Sequence, residues 1–276
     1  MDLKSFQSLF HHEKPLIGMV HLQPLPASPK SNMTVEQVID HALQDVQALM
    51  DGGMDGLILE NYGDVPFTGG QVGPETVAAM TLAAHQIRKQ CQCPIGINVL
   101  RNDSRAALAI ASILKCDFIR VNVYMGVVAT DQGLIEGKAF ETLRYRAILK
   151  SPVKIFADVF VKHGHTLDQS SISNAAVDGV TRGLADGIII TGGATGQAVK
   201  IDDLIEVKQN LPNTPVIAGS GVTSESLLQI LPHADAFIVG TSLKNNGLTE
   251  NSVDALRVQS LVHARDEWLA SQAPIP

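Results

Sequence analysis

Cysteine and stretches of basic residues are scarce in this 276-residue chain, and each scarcity excludes a class of protein. The three cysteines, Cys91, Cys93 and Cys116, are odd in number and lack paired C-x-x-C spacing. They therefore fit neither a disulfide scaffold nor a structural zinc site, and they predict a reducing compartment. A net charge of −7 without a basic stripe argues against nucleic acid as a partner.

Long apolar runs are also missing. No stretch approaches the ~20 apolar residues that a membrane-spanning helix needs. The first 14 residues contain Phe6, Leu9 and Phe10, but polar residues interrupt them, which is unlike a secretory signal. We therefore expect a soluble, cytoplasmic protein without a membrane span.

What the sequence does contain is a repeating pattern of strands and helices. Hydrophobic residues make up 45% of the chain, and short β-branched runs alternate with stretches of helical spacing. In the first such stretch Val38, Ala42 and Val46 share a face, and Thr34 occupies the N-cap position. The alternation predicts βαβ units and a parallel sheet. The eight runs cover residues 16–22, 56–62, 94–100, 118–124, 153–160, 187–193, 215–221 and 236–242.

Eight units favour a closed TIM (β/α)8 barrel, an α/β fold, over an open doubly wound sheet. A Rossmann sheet would carry a glycine-rich turn after its first strand, whereas the sequence there is His21-Leu22-Gln23-Pro24. We expect a single domain over residues 1–276, in which 1–14 form a lead-in with a short helix over the closed end of the barrel and 270–276 fray. The longest connection, 125–137, precedes a helix at 138–150 and is a candidate lid.

Two glycine turns close the last two apolar runs. They are Gly219-Ser220-Gly221 and Gly240-Thr241-Ser242, and each is followed by a helical pattern. Backbone amides in such turns can converge on an oxyanion, and TIM barrels usually hold phosphate after their last two strands. The sequence therefore predicts a phosphate site here, although the glycines could instead serve only to make tight turns. Thr191 and Gly192, in a third turn, could widen that site.

Polar side chains cluster at the carboxyl ends of the other predicted strands, where barrel enzymes place their active groups. Alternation along the fourth strand directs Arg120, Asn122 and Tyr124 inward, and in the fifth it does the same for Lys154 and Asp158. These inward groups could hold the oxygens of a substrate. The predicted substrate-binding residues are His21, Asn61, Asn98, Arg101, Arg120, Asn122 and Thr191.

Two carboxylates are candidates for proton transfer. Glu60 follows an apolar run directly and would emerge in a partly apolar mouth, where desolvation favours a protonated carboxyl. Asp158 could be its partner, since two carboxylates in unlike surroundings can divide acid and base roles. The alternative is that one of them anchors Arg120 or Lys154. Arg101 could fold over the mouth to meet an anion, with Asn102 or Asp103 capping the following helix.

The segment Lys162-His163-Gly164-His165 has three interpretations. Lys162 could form a Schiff base in a dry pocket. The two histidines could join Asp158 in holding a divalent metal, for which H-x-H alone is a weak signal. The segment could also be a loop that contacts substrate, with His163 in acid–base work. We predict Lys162 and His163 as catalytic, beside Glu60 and Asp158, and we predict no cofactor.

These residues together resemble the BtpA/SgcQ family of the ribulose-phosphate-binding barrel group, over almost the whole chain. The resemblance rests on several specific motifs, and Gly164-His165 departs from the family pattern of a small residue followed by proline. The motifs include Gly18-Met19-Val20-His21-Leu22, Glu60-Asn61-Tyr62-Gly63-Asp64, Asn98-Val99-Leu100-Arg101-Asn102-Asp103, Phe118-Ile119-Arg120-Val121-Asn122, Gly219-Ser220-Gly221-Val222 and Gly240-Thr241-Ser242-Leu243-Lys244.

The resemblance implies a barrel similar to phosphoribosylanthranilate isomerase. It attaches no firm reaction to the family. Members are linked to photosystem I accumulation in cyanobacteria and accompany sugar-uptake genes elsewhere, and a nucleosidase-like role has been suggested. We therefore expect an enzyme acting on a phosphorylated sugar or nucleoside-like small molecule, by isomerisation, retro-aldol cleavage or glycosidic cleavage. The alternative is a non-catalytic assembly or stability factor. Barrels of this type often pair, so a homo-oligomer is compatible with the fold.

Overall fold

The structure is a computed structural model and describes residues 1–161, 163–167, 171–192 and 198–272. Its strands are β1 (Leu16–His21), β2 (Gly56–Glu60), β3 (Ile95–Asn98), β4 (Phe118–Val121), β5 (Val127–Thr130), β6 (Gly133–Glu136), β7 (Lys154–Val159), β8 (Gly164–Thr166), β9 (Gly187–Ile190), β10 (Val216–Ala218) and β11 (Ala236–Val239). Its helices are α1 (Leu3–Phe10), α2 (Val35–Asp51), α3 (Pro74–Gln90), α4 (Ser104–Leu114), α5 (Ala139–Ile148), α6 (Ile172–Thr181), α7 (Ile201–Asn210), α8 (Ser224–Ile230) and α9 (Ala255–Gln272).

Eight parallel strands close into a barrel in the order β1-β11-β10-β9-β7-β4-β3-β2. The predicted α/β barrel is therefore confirmed, and each of the eight predicted runs contains one barrel strand. The strands end one to three residues before the predicted runs do, because the polar and glycine residues at those ends belong to the loops. Residue 193, at the end of the sixth run, lies outside the described residues. Thr34 caps α2 in a capping box with Gln37, as its position predicts.

The lower half of the barrel interior is apolar. Its buried cluster includes Ile17, Ile58, Ile189 and Ile217 from the strands, and it continues into α1 through Phe6 and Phe10. The rings of Phe10 and Phe118 lie 5.8 Å apart, and those of Phe6 and Phe156 lie 5.7 Å apart. Helix α1 therefore closes the amino-terminal end of the barrel, and only the opposite end is left for a polar site.

The same clamp occurs four times around this closed end. An aspartate stands just before every second barrel strand. Its carboxylate accepts a hydrogen bond from the backbone amide of the first or second residue of the preceding barrel strand. The same carboxylate forms an ion pair with a basic side chain from a helix. That basic group also donates to a backbone carbonyl two residues before the same strand residue. The four sets are Asp55 with Leu16, Arg265 and Lys14; Asp117 with Ile95, Arg88 and Cys93; Asp186 with Ile155, Arg146 and Val153; and Asp235 with Val216, Lys208 and Thr214.

These clamps supply hydrogen-bond partners to backbone groups at the closed end that the hydrogen bonds between barrel strands do not pair. The carboxylate-to-amide distances lie between 2.7 and 3.0 Å, and the ion-pair distances lie between 2.6 and 2.8 Å. Charge-assisted hydrogen bonds of this kind are stronger than neutral ones. The clamps therefore fix how each pair of neighbouring barrel strands begins.

The connection 125–137 is not a structureless loop. It forms the β5–β6 hairpin, and β8 pairs with β5 to make a small antiparallel sheet beside the mouth. The sheet covers an apolar cluster of Val123, Val128, Ile135 and Val161. The β5–β6 hairpin is local, but its strands are only four residues long with one buried residue each, so no apolar run marked them. The prediction missed β8 because its partner β5 lies about 36 residues earlier in the chain.

One inward assignment made from strand alternation is wrong, and another residue lies lower in the barrel than its role required. Strand β4 ends at Val121, so alternation no longer holds at Tyr124, whose hydroxyl donates to the carbonyl of Gly183 at 2.6 Å in the layer outside the barrel. Lys154 shares the parity of Asp158 but lies at the foot of β7, where its side chain is partly exposed and its amine lies 3.8 Å from Asp186. It is therefore too far down the strand to meet the carboxylates of the mouth.

Candidate functional site

Both glycine turns line one cavity at the carboxyl end of the barrel. The cavity has a volume of about 240 Å³, and residues 219–223 form one part of its wall while residues 240–242 form another. His21, Glu60, Tyr62 and Arg120 complete it from the other strands. The turns after β10 and β11 thus face a common space together with an acid, an imidazole and a guanidinium.

The two turns are also bonded to each other. The Ser242 hydroxyl donates to the Val222 carbonyl at 2.6 Å, which holds one turn against the other. Gly221 has a φ of +64°, a conformation that side-chain-bearing residues rarely adopt. Within the described part of the chain, the amides of Gly221, Val222, Thr241 and Ser242 donate no hydrogen bond. Such amides at a turn are what an oxyanion requires.

The third turn contributes differently. The amide of Gly192 donates to the Ser220 hydroxyl at 2.6 Å, and the Thr191 hydroxyl donates to the Phe160 carbonyl at 3.3 Å. Neither residue lines the cavity between the glycine turns. In this arrangement Gly192 supports the turn after β10, and its amide is already used.

Glu60 lies at the centre of the mouth. It is 5% exposed, and its Oε1 lies 3.7 Å from Nε2 of His21. The His21 ring packs on the ring of Tyr62, with centroids 4.7 Å apart. Gly240 allows this packing, because a Cβ there would lie 3.0 Å from the His21 ring. A carboxyl in such a mouth is suited to proton transfer.

Asp158 has very different surroundings from Glu60. Its side chain is fully buried and accepts from Nε and Nη2 of Arg120, both at 2.9 Å, and from Asn122 at 3.0 Å. Burial alone would lower the pKa of Arg120, but the Asp158 carboxylate outweighs burial, so the pKa lies above its ordinary value. Asn98 extends the network by donating to Asn122 at 3.0 Å. The geometry matches the anchoring alternative for Asp158.

A second, larger cavity of about 610 Å³ shares Glu60 and Tyr62 with the first. Its walls carry Arg101 and both histidines of the β8 segment, His163 and His165, with the tip of the β5–β6 hairpin above them. Burial lowers the pKa of Arg101, which the negative charges of Asp158 and Glu60 partly oppose. The mouth therefore consists of two connected compartments that meet at Glu60 and Tyr62.

Several predicted polar residues hold loops in place. Asn61 accepts from the Leu100 amide at 2.7 Å and donates to Asp64 at 3.0 Å, which fastens the loops after β2 and β3. Asn102 makes a reciprocal pair of hydrogen bonds with Val123. Asp103, one of the two residues predicted for this position, is the N-cap of α4. Asn61 and Asn98 do not line either compartment.

Of the four residues predicted as catalytic, Glu60 and His163 line the mouth, Asp158 lies beneath it and Lys162 lies outside the described residues. Sequence reasoning missed Thr223 and Gly247. Thr223 lines the smaller cavity directly after the first glycine turn. Gly247 lines it from a segment beyond the last strand, and no local pattern marks this residue.

Within the described ranges, both a metal-binding cluster and a membrane-spanning helix are absent. No group of three His, Cys, Asp or Glu side chains there is arranged to hold a metal ion. No helix among those residues is long and apolar enough to cross a membrane. The three cysteines are all free thiols.

Comparison with known sequences gives full-length matches. Residues 12–267 match the profile of the BtpA family. The chain is 46% identical to the photosystem I biogenesis protein BtpA of Synechocystis, over 99% of this chain and 94% of that protein. It is 43% identical to an uncharacterized protein of Methanocaldococcus jannaschii, over 91% of this chain and 95% of that protein.

Comparison with solved structures gives the same fold at low identity. A tryptophan synthase structure from Mycobacterium tuberculosis superposes with a TM-score of 0.59 at 16% identity, covering 95% of each chain. An N-(5'-phosphoribosyl)anthranilate isomerase from Pyrococcus furiosus superposes with a TM-score of 0.58 at 10% identity, covering 92% of this chain and 99% of that one. At such identities the likeness extends to the barrel alone.

Proposed function

This chain belongs to the BtpA family, and from the chemistry of its mouth we propose that it is an enzyme acting on a phosphorylated sugar or nucleoside-like small molecule. The observation that carries the proposal is the smaller cavity, where two glycine turns and the Glu60 carboxyl line the same space. The phosphate would accept hydrogen bonds from the amides of Gly221, Val222, Thr241 and Ser242. Arg120 would add positive charge from the barrel floor.

Glu60 is the proposed proton carrier. It stands where the phosphate compartment meets the larger one, so a substrate that fills both would place its central atoms beside this carboxyl. His21, 3.7 Å away, would share or exchange its proton. The chemistry that these groups support is proton transfer, as isomerisation, retro-aldol cleavage and glycosidic cleavage each require.

Asp158 would act on the substrate through Arg120. Its carboxylate already accepts three hydrogen bonds, so its contribution is to hold the guanidinium in place and keep it charged. His163 would contact the part of the substrate that lies in the larger compartment.

Ligand-dependent melting tests the proposal. The protein would be heated with inorganic phosphate, sugar phosphates and nucleoside monophosphates. A ligand at one hundred times its Kd adds about 2.7 kcal/mol of stability, which raises the Tm of a chain this size by about 5–10 °C. If neither phosphate nor any phosphate ester raises the Tm, the proposal fails.

A pair of glycine variants locates the binding. Gly221 and Gly53 both have positive φ, at +64° and +93°, but Gly53 lies at the closed end. Gly221→Ala should weaken phosphate binding about tenfold or more because the turn must change conformation. Gly53→Ala carries similar backbone strain and should leave the Kd unchanged. Equal losses in both would point to general destabilisation.

The identity to a photosystem I biogenesis protein favours a second candidate, a non-catalytic assembly or stability factor. Such a role needs an exposed apolar surface more than a polar, concave mouth. Glu60→Gln separates the two. An unchanged cellular function in a fully folded Glu60→Gln variant would favour the assembly factor, whereas loss of function would favour the enzyme.

A further inference from the structure

The segment between β11 and α9, residues 244–254, is held at both ends by one buried aspartate. Lys244 is 1% exposed and donates to Asp45 on α2. The other oxygen of that carboxylate accepts from the Val253 amide at 2.7 Å. An ion pair this buried fixes geometry, because breaking it on one side would leave a charge without solvent. The two ends of the segment are therefore fixed to the same point of α2.

The two ends of the segment are also bonded to each other. The Asn245 amide donates to the Ser252 carbonyl at 2.9 Å, and the Asn245 side chain donates to the Ser252 hydroxyl at 2.9 Å. The Asp254 amide donates to the Leu243 carbonyl at 2.8 Å. Residues 246–251 thus form a short loop on a fixed base, and the loop has little freedom to swing away from the barrel.

This loop reaches the smaller cavity at two points. The buried hydroxyl of Thr249 lies 2.9 Å from the hydroxyl of Thr241 in the second glycine turn. Gly247 lines the cavity itself. Its φ is +67°, and a Cβ there would meet no atom within 4 Å beyond its chain neighbours. A side chain at position 247 therefore has room to extend from the cavity wall.

We propose that the 244–254 segment is the outer wall of the phosphate compartment, an inference that rests on the proposed phosphate site. Gly247 is the residue of the wall that faces the bound phosphate, and Asp45 is the positioning residue that holds the wall in place. The glycine turns provide the amides that bind the anion, and the segment limits the space in front of them. Asp45 touches no ligand and acts through Lys244 and Val253.

The proposal gives position 247 an electrostatic property that can be measured. Aspartate and asparagine have nearly the same shape, and both tolerate positive φ better than most residues. At the wall of a phosphate site, aspartate would repel the anion and asparagine would not. The ratio of the two dissociation constants therefore reports whether residue 247 faces the ligand, because the strain of the substitution is common to both variants.

Calorimetric titration with inorganic phosphate compares the two variants. Gly247→Asp should bind phosphate at least about tenfold more weakly than Gly247→Asn. Gly53 also has positive φ and is exposed, but it lies at the closed end of the barrel. Gly53→Asp and Gly53→Asn should therefore differ by less than about twofold. Equal dissociation constants for the two Gly247 variants would overturn the wall.

Substitutions at Asp45 test the positioning role. Asp45→Asn removes the charge that faces Lys244 and keeps an acceptor for the Val253 amide, so phosphate should bind about fivefold more weakly because the wall is no longer fixed. Combining Asp45→Asn with Lys244→Gln leaves no buried charge and lets the two amides bond, which should restore the Kd to within about twofold. Asp117→Asn breaks the ion pair with Arg88 at the closed end, and as the control it should lower the Tm and leave the Kd unchanged.

The outcomes separate this inference from the proposed function. If phosphate does not bind the unaltered protein, the proposed function is wrong and the wall falls with it. If phosphate binds and the Gly247 variants do not differ, only the wall is wrong. A lower Tm in Asp45→Asn without weaker binding, or weaker binding that the double variant does not restore, would make Asp45 a merely structural residue. Should Asp45→Asn fail to fold, the pair of substitutions at the partly exposed Gly247 still decides.

Discussion

Asp158 and Glu60 are both buried carboxylates near the mouth, yet their neighbours assign them different work. Strand alternation correctly directed Asp158, Arg120 and Asn122 into the barrel. It could not say which acid was committed to the arginine, because that depends on the distance between side chains of β4 and β7. At the scale of single residues, the sequence thus predicts which groups enter the interior and leaves their pairing open.

The pairing predicts a stability difference between two similar substitutions. Asp158→Asn removes the charge that faces the buried Arg120, and breaking a buried pair on one side costs about 3–5 kcal/mol. Asp131→Asn makes the same change at an exposed position and should cost under about 0.5 kcal/mol. Urea denaturation measures both values. A loss below about 1 kcal/mol in Asp158→Asn would contradict the anchoring role.

The clamps at the closed end show what recurs at the scale of elements. Asp55, Asp117, Asp186 and Asp235 each stand immediately before a predicted strand, and only before every second one. The period was therefore visible in the sequence. Their basic partners were not, because each comes from a different helix at a different separation along the chain.

One clamp can be dismantled stepwise. Asp235→Ala leaves the Val216 amide without its acceptor and the Lys208 amine with only the Thr214 carbonyl, and should cost about 2–3 kcal/mol. Asp235→Asn keeps an acceptor for the amide and loses only the charge, so its cost should be about 1 kcal/mol. Asp51→Ala, at an exposed helix position, is the control and should cost less than either. An equal loss in all three variants would mean that the clamp contributes nothing particular.

The whole molecule divides along the barrel axis. Aromatic and aliphatic side chains fill the end that α1 closes, and charged and amide groups fill the end that opens to the mouth. The sequence predicted this polarity, since polar residues follow the apolar runs. It did not predict the β5–β6–β8 sheet, in which β8 joins a hairpin formed far earlier in the chain, nor the segment that brings Gly247 to the site.

The small sheet should matter for large ligands only. Replacing residues 128–135 by two glycines removes the wall above Arg101 and His163 but leaves the glycine turns in place. Affinity for inorganic phosphate should stay within about threefold, while any nucleotide or sugar phosphate that binds should lose about tenfold or more. Calorimetry on both ligand types checks this. Equal losses for phosphate and for the larger ligand would show that the sheet supports the whole mouth.

The Asp55 clamp differs from the other three in one respect. Arg265 and Asp55 join the final helix to the first two barrel strands. The place where the barrel closes on itself is therefore held by the same kind of contact as the other strand pairs. A circular permutant, in which the present termini are joined and new termini are placed in an exposed loop of the mouth, would keep all four clamps. The clamps of the folded barrel therefore do not depend on which βα unit comes first in the chain.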